Sequence, residues 1–246
     1  MLDNALRPTA KPLYLQVKEH LIRRILEGEW KPGECLPSET KLAESYGFSQ
    51  GTVRKAIEEL ADENLVTRHA GRGTFVRSHK GDYKPFRFHR FVADTGGRLT
   101  DGPLAYIRCT TGKANALAAK ALQISMGAEV ADVERVRFLD DQPALLERIT
   151  LGNGICAGIE KILNKQKPSS IYLVLEQHYN ILIVRVDESI RARLSRPDEE
   201  AVLHLESGTP ILEIERVAYS LGGEPIEWRL SVGQTENMHY WNQTTG

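Results

Sequence analysis

The chain has few of the features that mark exported, membrane-spanning or disulfide-stabilised proteins. Its 246 residues include three widely spaced cysteines, Cys35, Cys109 and Cys156. This set contains no metal-ligand or redox pair, so we interpret the three as reduced thiols. No apolar run approaches the roughly 20 residues of a membrane-spanning helix, and residues 1–14 lack an apolar signal core. We therefore expect a cytoplasmic protein.

A strong charge of one sign is also missing. The formal net charge is −1, which argues against a general nucleic-acid coat. Residues 1–80 nevertheless hold 13 Lys and Arg against 11 Asp and Glu, whereas the remainder holds 19 against 22. The positive excess is therefore local, and a local patch is sufficient for DNA binding when a dimer presents it twice.

Recognisable catalytic and metal-binding patterns are missing as well. The seven histidines are scattered along the chain, without the spacing of metal ligands. Ser, His and acidic residues form no nucleophile arrangement. We expect neither a metal nor another cofactor, and we expect a protein that is not an enzyme.

Residues 36–76 have the pattern of two short helices joined by a tight turn and followed by a hairpin. Ser38 is a favourable N-cap for the first helix, and Gly47 suits the left-handed residue that ends it. Ser49 can cap the second helix, whose apolar residues recur at helical spacing: Val53, Ala56, Ile57 and Leu60. The hairpin tip is His69-Ala70-Gly71-Arg72-Gly73, and its glycines allow a backbone to approach phosphates closely.

This order of parts is that of a winged helix-turn-helix, which places one helix in the DNA major groove and a basic loop beside it. A capped helix or a glycine hairpin alone would be ordinary structure. Their combination within about 40 residues indicates DNA binding. The residues expected to contact DNA are Ser38, Thr40, Ser49, Gln50, Gly51, Thr52, Arg54, Lys55, Arg68, Gly71, Arg72 and Gly73.

The unit resembles the DNA-binding domain of GntR-family bacterial transcription regulators. The resemblance is carried by Leu36-Pro37-Ser38-Glu39, Thr52-Val53-Arg54 and Gly71-Arg72-Gly73-Thr74-Phe75-Val76, with the lead-in Pro12-Leu13-Tyr14. Many members have arginine where this chain has Thr40 and Gln50. Because Gln suits adenine whereas Arg suits guanine, we expect an operator that departs from the family's common site.

A polar stretch with Gly and Pro separates this unit from a second part in which strand and helix patterns alternate. We predict a winged helix-turn-helix domain over 1–77, a linker over 78–87 and an effector-binding and dimerisation domain over 88–246. Hairpin signals dominate the second part, including Gly222-Gly223. A mainly antiparallel sheet with helices outside it is therefore expected.

Strand parity identifies a candidate binding site in the second part. Arg135 and Arg137 share one face of the strand predicted over 130–139, and Glu147 lies on the returning strand. Burying two arginines is costly unless an anion meets them. One interpretation is an anion site with Glu147 as a partner of the arginines. The alternative, which parity leaves equally open, is a one-sided sheet whose arginines are exposed.

The second part resembles the UTRA effector-binding domain of the HutC subgroup of GntR regulators, which has the fold of chorismate lyase. The motifs are Glu134-Arg135-Val136-Arg137, Ser169-Ser170-Ile171-Tyr172 and Gly223-Glu224-Pro225-Ile226-Glu227. The resemblance implies an α+β protein in which a winged helix-turn-helix precedes a UTRA domain. It also implies that a ligand pocket is lined by Arg135, Arg137, Glu147, Ser170 and Glu227, beside which Ser169 is a further candidate.

Two departures from the family pattern bear on the ligand. Arg87 and His89, further effector-binding candidates, stand where phosphosugar-sensing members carry a Ser/Thr-rich loop. Gly233 stands where a tyrosine is usual. A small carboxylate is therefore favoured over a phosphosugar, although a phosphate-bearing effector stays open.

These observations predict a ligand-responsive, homodimeric transcription regulator and favour a repressor. Its partners would be double-stranded operator DNA and a small anionic metabolite that changes the operator affinity. An enzyme of chorismate-lyase-like fold fused to a DNA-binding domain is the alternative, and turnover of a candidate ligand would separate the two. An architectural DNA binder with an inert second domain would show no response to any metabolite.

Overall fold

The N-terminal part of the molecule is a three-helix unit with a β-hairpin. A computed structural model describes residues 11–78, 90–97, 99 and 102–242. The helices are α1 (Leu13–Leu26), α2 (Glu39–Tyr46) and α3 (Gln50–Asp62). The hairpin pairs β1 (Val66–His69) with β2 (Gly73–Val76) in antiparallel fashion.

The apolar faces of these elements form a core of their own. Val17 and Leu21 of α1 are fully buried against α3, where Val53, Ile57 and Leu60 are also inaccessible to solvent. Helical spacing places these residues of α3 on one side. Its polar residues are consequently left on the opposite side, toward solvent.

One six-stranded antiparallel sheet organises the rest of the chain. The strand order across the sheet is β4-β5-β6-β9-β8-β7. The strands are β4 (Leu104–Lys113), β5 (Glu129–Leu139), β6 (Gln142–Gly152), β7 (Ile183–Leu194), β8 (Pro210–Ser220) and β9 (Pro225–Gly233).

Both faces of this sheet are covered. On one face pack α5 (Ile159–Gln166), α6 (Ile171–Tyr179) and a ribbon made of β3 (Phe91–Ala93) and β10 (Met238–Tyr240). On the other face pack α4 (Ala116–Leu122) and α7 (Pro197–Leu203). The first face therefore has a central region between the helices and the ribbon, where the candidate site lies.

The two parts of the molecule touch. The Ser78 hydroxyl hydrogen-bonds the Glu176 carboxylate of α6. Val184 and Leu221 of the sheet domain pack against the core of the helical unit. The DNA-binding candidates thus belong to a unit that contacts the sheet domain directly.

Most predicted elements are confirmed. The strand predicted over 130–139 is β5, which begins one residue earlier, and the hairpin predicted at Gly222-Gly223 joins β8 to β9. Three elements were not predicted. The strands β3 and β10 have only three residues each, too few for an alternating pattern to show. Helix α5 buries only Ile159 and Leu163.

The predicted domain boundaries stay predictions. Most of the proposed linker over 78–87 lies outside the described residues, and so do Arg87 and His89. The described residues on either side of the gap belong to the helical unit and to β3.

Candidate nucleic-acid interface and buried arginine cluster

The start of α3 is fixed by a serine cap that leaves its polar residues exposed. Gly47 ends α2 with φ +70°, a value that glycine adopts without strain. Ser49 Oγ then accepts a hydrogen bond from the Thr52 amide at 3.2 Å and lies 2.9 Å from Thr52 Oγ1. Gln50 and Gly51, in the first turn, are exposed. The leading end of α3 therefore presents hydrogen-bonding groups to a ligand.

The hairpin tip depends on glycine. Gly71 and Gly73 have φ values of +71° and +110°, which side-chain-bearing residues rarely adopt. A Cβ at Gly73 would also lie 3.0 Å from Cys35 Sγ. Arg72 stands between the two glycines and is exposed. The backbone conformation that presents Arg72 is therefore determined by the two flanking glycines.

The cap of α2, the start of α3 and the hairpin tip surround one open groove of ≈ 520 Å³. Seven of the twelve predicted DNA-binding residues line it: Ser38, Thr40, Gln50, Arg68, Gly71, Arg72 and Gly73. The other five lie on the cap and first turns of α3: Ser49, Gly51, Thr52, Arg54 and Lys55. The predicted set is thus contiguous in the fold, and contact with DNA stays a prediction.

Ion pairs already hold two of these arginines. Arg54 Nε donates to Glu39 Oε2 and Arg68 Nη2 donates to Glu39 Oε1, both at 2.9 Å. Arg68 also reaches Glu58 at 3.3 Å. The Lys55 ammonium lies 4.1 Å from the centre of the Tyr14 ring on α1. Among the predicted cations in the described part of the chain, Arg72 at the hairpin tip makes no such contact.

The register of the sheet brings three arginines and two glutamates together on its first face. Arg135 lies opposite Glu147, and Arg137 is two residues further along the same strand. On β9, Glu227 and Arg229 are likewise two residues apart, so they share a face. All five side chains are at most 2% exposed. The interpretation of the two predicted arginines as exposed residues of a one-sided sheet is wrong.

Glu147 is the centre of this cluster. Its Oε2 accepts from Arg135 Nε at 2.8 Å and from Arg137 Nε at 3.0 Å, and its Oε1 accepts from Arg229 Nη1 at 2.5 Å. Arg229 also holds Glu227, through Nε at 2.9 Å and Nη2 at 2.7 Å. Three cations meet two anions, so the cluster carries one positive charge in excess.

Arg137 is the least satisfied member of the cluster. Burial lowers the pKa of Arg137 to about 10, an effect that Glu147 opposes and that Arg135 and Arg229 reinforce. Within the described part of the chain, Arg137 Nη1 and Arg135 Nη2 have no hydrogen-bond partner. Burial also acts on Arg229, yet Glu227 and Glu147 outweigh it and raise the pKa of Arg229. An anion entering the cluster would therefore be stabilised most by a hydrogen bond from Arg137.

Arg137 lines a small cavity between the sheet and the β3–β10 ribbon. The cavity measures ≈ 20 Å³, room for about one water molecule. Its polar lining comes from Arg90, Arg137, Glu147, Arg216, Arg229, Ser231 and Tyr240. Its apolar lining comes from Phe91, Leu99, Leu145 and Ile214. The site is thus small, positively charged and partly apolar.

The predicted residues of the Ser169-Ser170-Ile171-Tyr172 motif reach the cluster in different ways. The Ser169 carbonyl accepts from Arg137 Nη2 at 3.0 Å and from Arg135 Nη1 at 3.3 Å. Ser170 Oγ accepts from the Leu173 amide at 3.3 Å, which makes it the N-cap of α6. The Tyr172 hydroxyl donates to Glu227 Oε1 at 3.0 Å. The motif therefore fixes one end of α6 against the arginines.

Five polar lining residues escaped the sequence analysis: Arg90, Arg216, Arg229, Ser231 and Tyr240. Arg229 follows Glu227 by two residues, so strand parity could have found it. Arg216 donates to Glu188 through Nε at 2.8 Å and Nη2 at 2.5 Å. Tyr240 hydrogen-bonds the same carboxylate, and its pKa is raised, mainly by burial. No local sequence pattern indicates that Tyr240 lies beside Arg90.

In residues 11–78, 90–97, 99 and 102–242, no group of three or more His, Cys, Asp or Glu is placed to hold a metal ion. No helix in those ranges is long and apolar enough to cross a membrane.

Comparison with known families matches both parts of the chain. Residues 13–76 match the family described as bacterial regulatory proteins, gntR family, and residues 105–239 match the UTRA domain. The first match covers the three helices and the hairpin, and the second covers the six-stranded sheet and the arginine cluster.

Individual relatives cover nearly the whole chain. The histidine utilization repressor of Pseudomonas putida is 30% identical over 216 residues, which are 87% of this chain and 85% of that protein. The HTH-type transcriptional repressor NagR of Bacillus subtilis is 29% identical over 94% of this chain and 96% of its own length. A crystal structure of the ligand-binding domain of a GntR-family regulator from Bordetella bronchiseptica has 26% identity and a TM-score of 0.59. It covers 65% of this chain and 99% of that domain.

Proposed function

The chain belongs to the GntR family of bacterial regulatory proteins and carries the UTRA domain of its HutC subgroup, and we propose that it is a repressor whose operator affinity is set by a small anion. It is a ligand-responsive, DNA-binding transcription regulator. Its relatives named above are repressors. Because its partner is the bacterial genome, we place it in the cytoplasm.

We propose that the groove between α3 and the hairpin tip receives operator DNA. Gln50 at the leading end of α3 would read a base edge, and Arg72 at the tip would meet phosphates or the minor groove. The exposed caps of α2 and α3 would contribute backbone amides and hydroxyls. Two copies of the chain would present two such grooves to a two-fold operator.

The observation that carries the effector proposal is Arg137 Nη1, which is buried and has no partner among the described residues. A carboxylate would satisfy it and neutralise the excess charge of the cluster. Phe91, Leu99 and Leu145 form an apolar part of the same lining, against which a compact apolar body would pack. We therefore propose a small carboxylate with a compact apolar body.

The small volume of this cavity has a consequence for how an effector could enter it. A metabolite needs far more than ≈ 20 Å³, so we propose that the β3–β10 ribbon moves when the effector enters. Phe91, Leu99 and Tyr240 would shift with it. Two arrangements of the ribbon, only one of which accepts the anion, supply the differential affinity that regulation needs, about 1–3 kcal/mol.

A panel of short mono- and dicarboxylates and sugar phosphates tests this proposal. Full-length protein is first given operator DNA selected from random sequence, and each compound is then scored for its effect on DNA binding by fluorescence anisotropy. We expect carboxylates to act and Arg137→Met to abolish their effect while leaving operator affinity unchanged. Arg108→Met, at an exposed position on β4, is the matched control and should respond normally.

Two results would overturn the proposal. A response of the Arg137→Met variant with unaltered effector affinity would place the effector elsewhere. Turnover of any compound in the panel would favour the enzymatic alternative, although the named relatives are regulators.

A further inference from the structure

A second cavity lies where the helical unit meets the sheet domain. This junction cavity measures ≈ 240 Å³, whereas about 150 Å³ of apolar space is enough to hold benzene. The helical unit lines it with Ile25 and Leu26, the last two residues of α1, and with Pro32. The sheet domain lines it with the segment after α6 and the turn between β8 and β9. It shares no lining residue with the cavity at the arginine cluster.

The wall of the junction cavity is mainly apolar. Eight of its eleven lining residues are apolar, and four of these are isoleucines: Ile25, Ile155, Ile181 and Ile226. At its mouth, Leu26 and Ile155 are 48% and 45% exposed. A ligand that covered these side chains would remove apolar surface from water, which favours binding. The cavity therefore suits a small molecule with an apolar, ring-sized body.

The polar part of the wall is negative. Glu224 is the only ionisable residue among the described lining residues. Its Oε2 accepts a hydrogen bond from the Ser220 hydroxyl, and within the described part of the chain no cation binds its carboxylate. Asn180 supplies an exposed side-chain amide. Both residues can accept hydrogen bonds from a ligand.

Two helix ends add to this negative potential. Leu26 is the last residue of α1, and Asn180 is the C-cap of α6. The carbonyl ends of helices carry partial negative charge and favour cations. The basic residues in the last turn of α1, Arg23 and Arg24, do not line the cavity. The junction cavity thus favours a cation, whereas the arginine cluster favours an anion.

We propose that the junction cavity binds a primary amine carried on a compact apolar body, of the arylalkylamine class. The ring packs between the isoleucines. The ammonium group donates to Glu224 Oε1, because Oε2 is held by Ser220, and to the side-chain oxygen of Asn180. Since both parts of the chain form the wall, the amine binds while they are in contact and stabilises that contact by mass action.

Methyl NMR of the full-length chain tests the proposal with three probes of one shape: phenethylamine, phenethyl alcohol and phenylacetate. The four lining isoleucines supply δ1-methyl reporters, of which Ile25 belongs to the helical unit and Ile155, Ile181 and Ile226 to the sheet domain. We expect phenethylamine to shift methyl signals on both sides of the junction and to bind more tightly than the other two probes. Ile57, buried in the core of the helical unit, is the reference signal.

Two variants locate the amine. Ile155→Trp fills the mouth of the cavity and should abolish the shifts, whereas Ile107→Trp, at an exposed position on β4, should leave them unchanged. Glu224→Gln should weaken phenethylamine about threefold, the effect of a partly exposed ion pair, without changing the binding of phenethyl alcohol. Glu206→Gln, at another exposed position, is the control for charge.

Several results would overturn the proposal. These are the absence of shifts with phenethylamine, shifts on one side of the junction alone, or shifts that persist in Ile155→Trp. Binding of phenethyl alcohol or phenylacetate as tight as that of the amine would do the same.

The same spectra separate this proposal from the proposed function. Ile214 lines the cavity at the arginine cluster, so its methyl signal reports a carboxylate bound there. Arg137→Met should leave the response to phenethylamine intact. A chain that binds the amine at the junction but responds to no carboxylate keeps this site and defeats the effector proposal, and the reverse result does the opposite.

Discussion

Arg54 Nε donates a 2.9 Å hydrogen bond to Glu39 Oε2, a contact that ties the recognition helix α3 to the first residue of α2. The same carboxylate holds Arg68 of the hairpin. One acidic side chain therefore links the three elements that surround the groove. It fixes two cations in place, and it would compete with DNA for them if they contact the duplex as predicted.

Removing the Arg54 side chain tests its role in recognition. Arg54→Ala should weaken operator binding by about 1–3 kcal/mol if Arg54 reads a base edge. The measurement is fluorescence anisotropy at fixed salt concentration, because phosphate contacts depend strongly on salt. Lys120→Ala, at an exposed position on α4, is the control for charge alone. An Arg54→Ala variant with the affinity of the wild type would show that Arg54 only supports Glu39.

Gln50 should determine part of the operator sequence. It is exposed in the first turn of α3 and lines the groove. Glutamine pairs with adenine through two hydrogen bonds, whereas arginine pairs with guanine. Gln50→Arg should therefore replace an adenine preference by a guanine preference in a selection from random DNA. The prediction fails if the selected sites of both proteins are the same.

The two buried arginines on either side of Glu147 should differ in their importance for stability. Arg229→Met removes the only described arginine that hydrogen-bonds both Glu147 and Glu227, so it leaves buried charge uncompensated. We expect a loss of about 3–5 kcal/mol in the free energy of unfolding. Arg137→Met should cost much less, because Glu147 keeps Arg135 and Arg229. Urea denaturation of both variants measures the difference, and equal losses would contradict the assignment of Arg137 to the ligand.

Gly233 has no space for a side chain. An added Cβ would lie 2.6 Å from the Ala144 carbonyl oxygen and 2.5 Å from Met238 Cε. Gly233→Ala should cost about 1–3 kcal/mol of stability through overpacking. Gly152→Ala is the matched control, since a Cβ there meets nothing within 4 Å. Similar melting temperatures for the two variants would show that Met238 and β10 can shift away from the added methyl group at little cost in stability.

The three thiols should differ in reactivity. Burial raises the pKa of Cys109 to about 11 and that of Cys156 to about 12, whereas Cys35 is exposed. Because the thiolate is the reactive form, a disulfide reagent at about pH 8 should label one thiol per native chain. The Cys35→Ser variant should show almost none until it is denatured. Rapid labelling of that native variant would indicate that the sheet domain opens.

The features predicted correctly from the sequence are those that depend on residues close together in the chain. Ser38, Gly47 and Ser49 define helix ends by rules that act within a few residues, and the structure has those ends. Parity placed Arg135 and Arg137 on one face and suggested Glu147 as their partner, which the 2.8 Å contact with Arg135 confirms. Parity alone did not decide burial, because burial depends on what covers the sheet.

The segments that cover the arginine cluster could not be predicted from the sequence. Phe91 and Tyr240 pair across the β3–β10 ribbon although about 150 residues separate them. Each strand has three residues, too few to show a period. Ser169 contacts the arginines through a backbone carbonyl, a group that every residue possesses. These contributions arise only from the tertiary fold.

If the effector binds in the small cavity as proposed, the cavity limits the rate of binding as well as its specificity. A ligand that must wait for the β3–β10 ribbon to lift associates at the rate of that opening, well below the limit of diffusion. Raising the ligand concentration would then speed association only up to a plateau. Once inside, the ligand would be held by the same ribbon and would leave slowly. Slow association would make the regulator insensitive to brief pulses of its metabolite and responsive to a sustained supply.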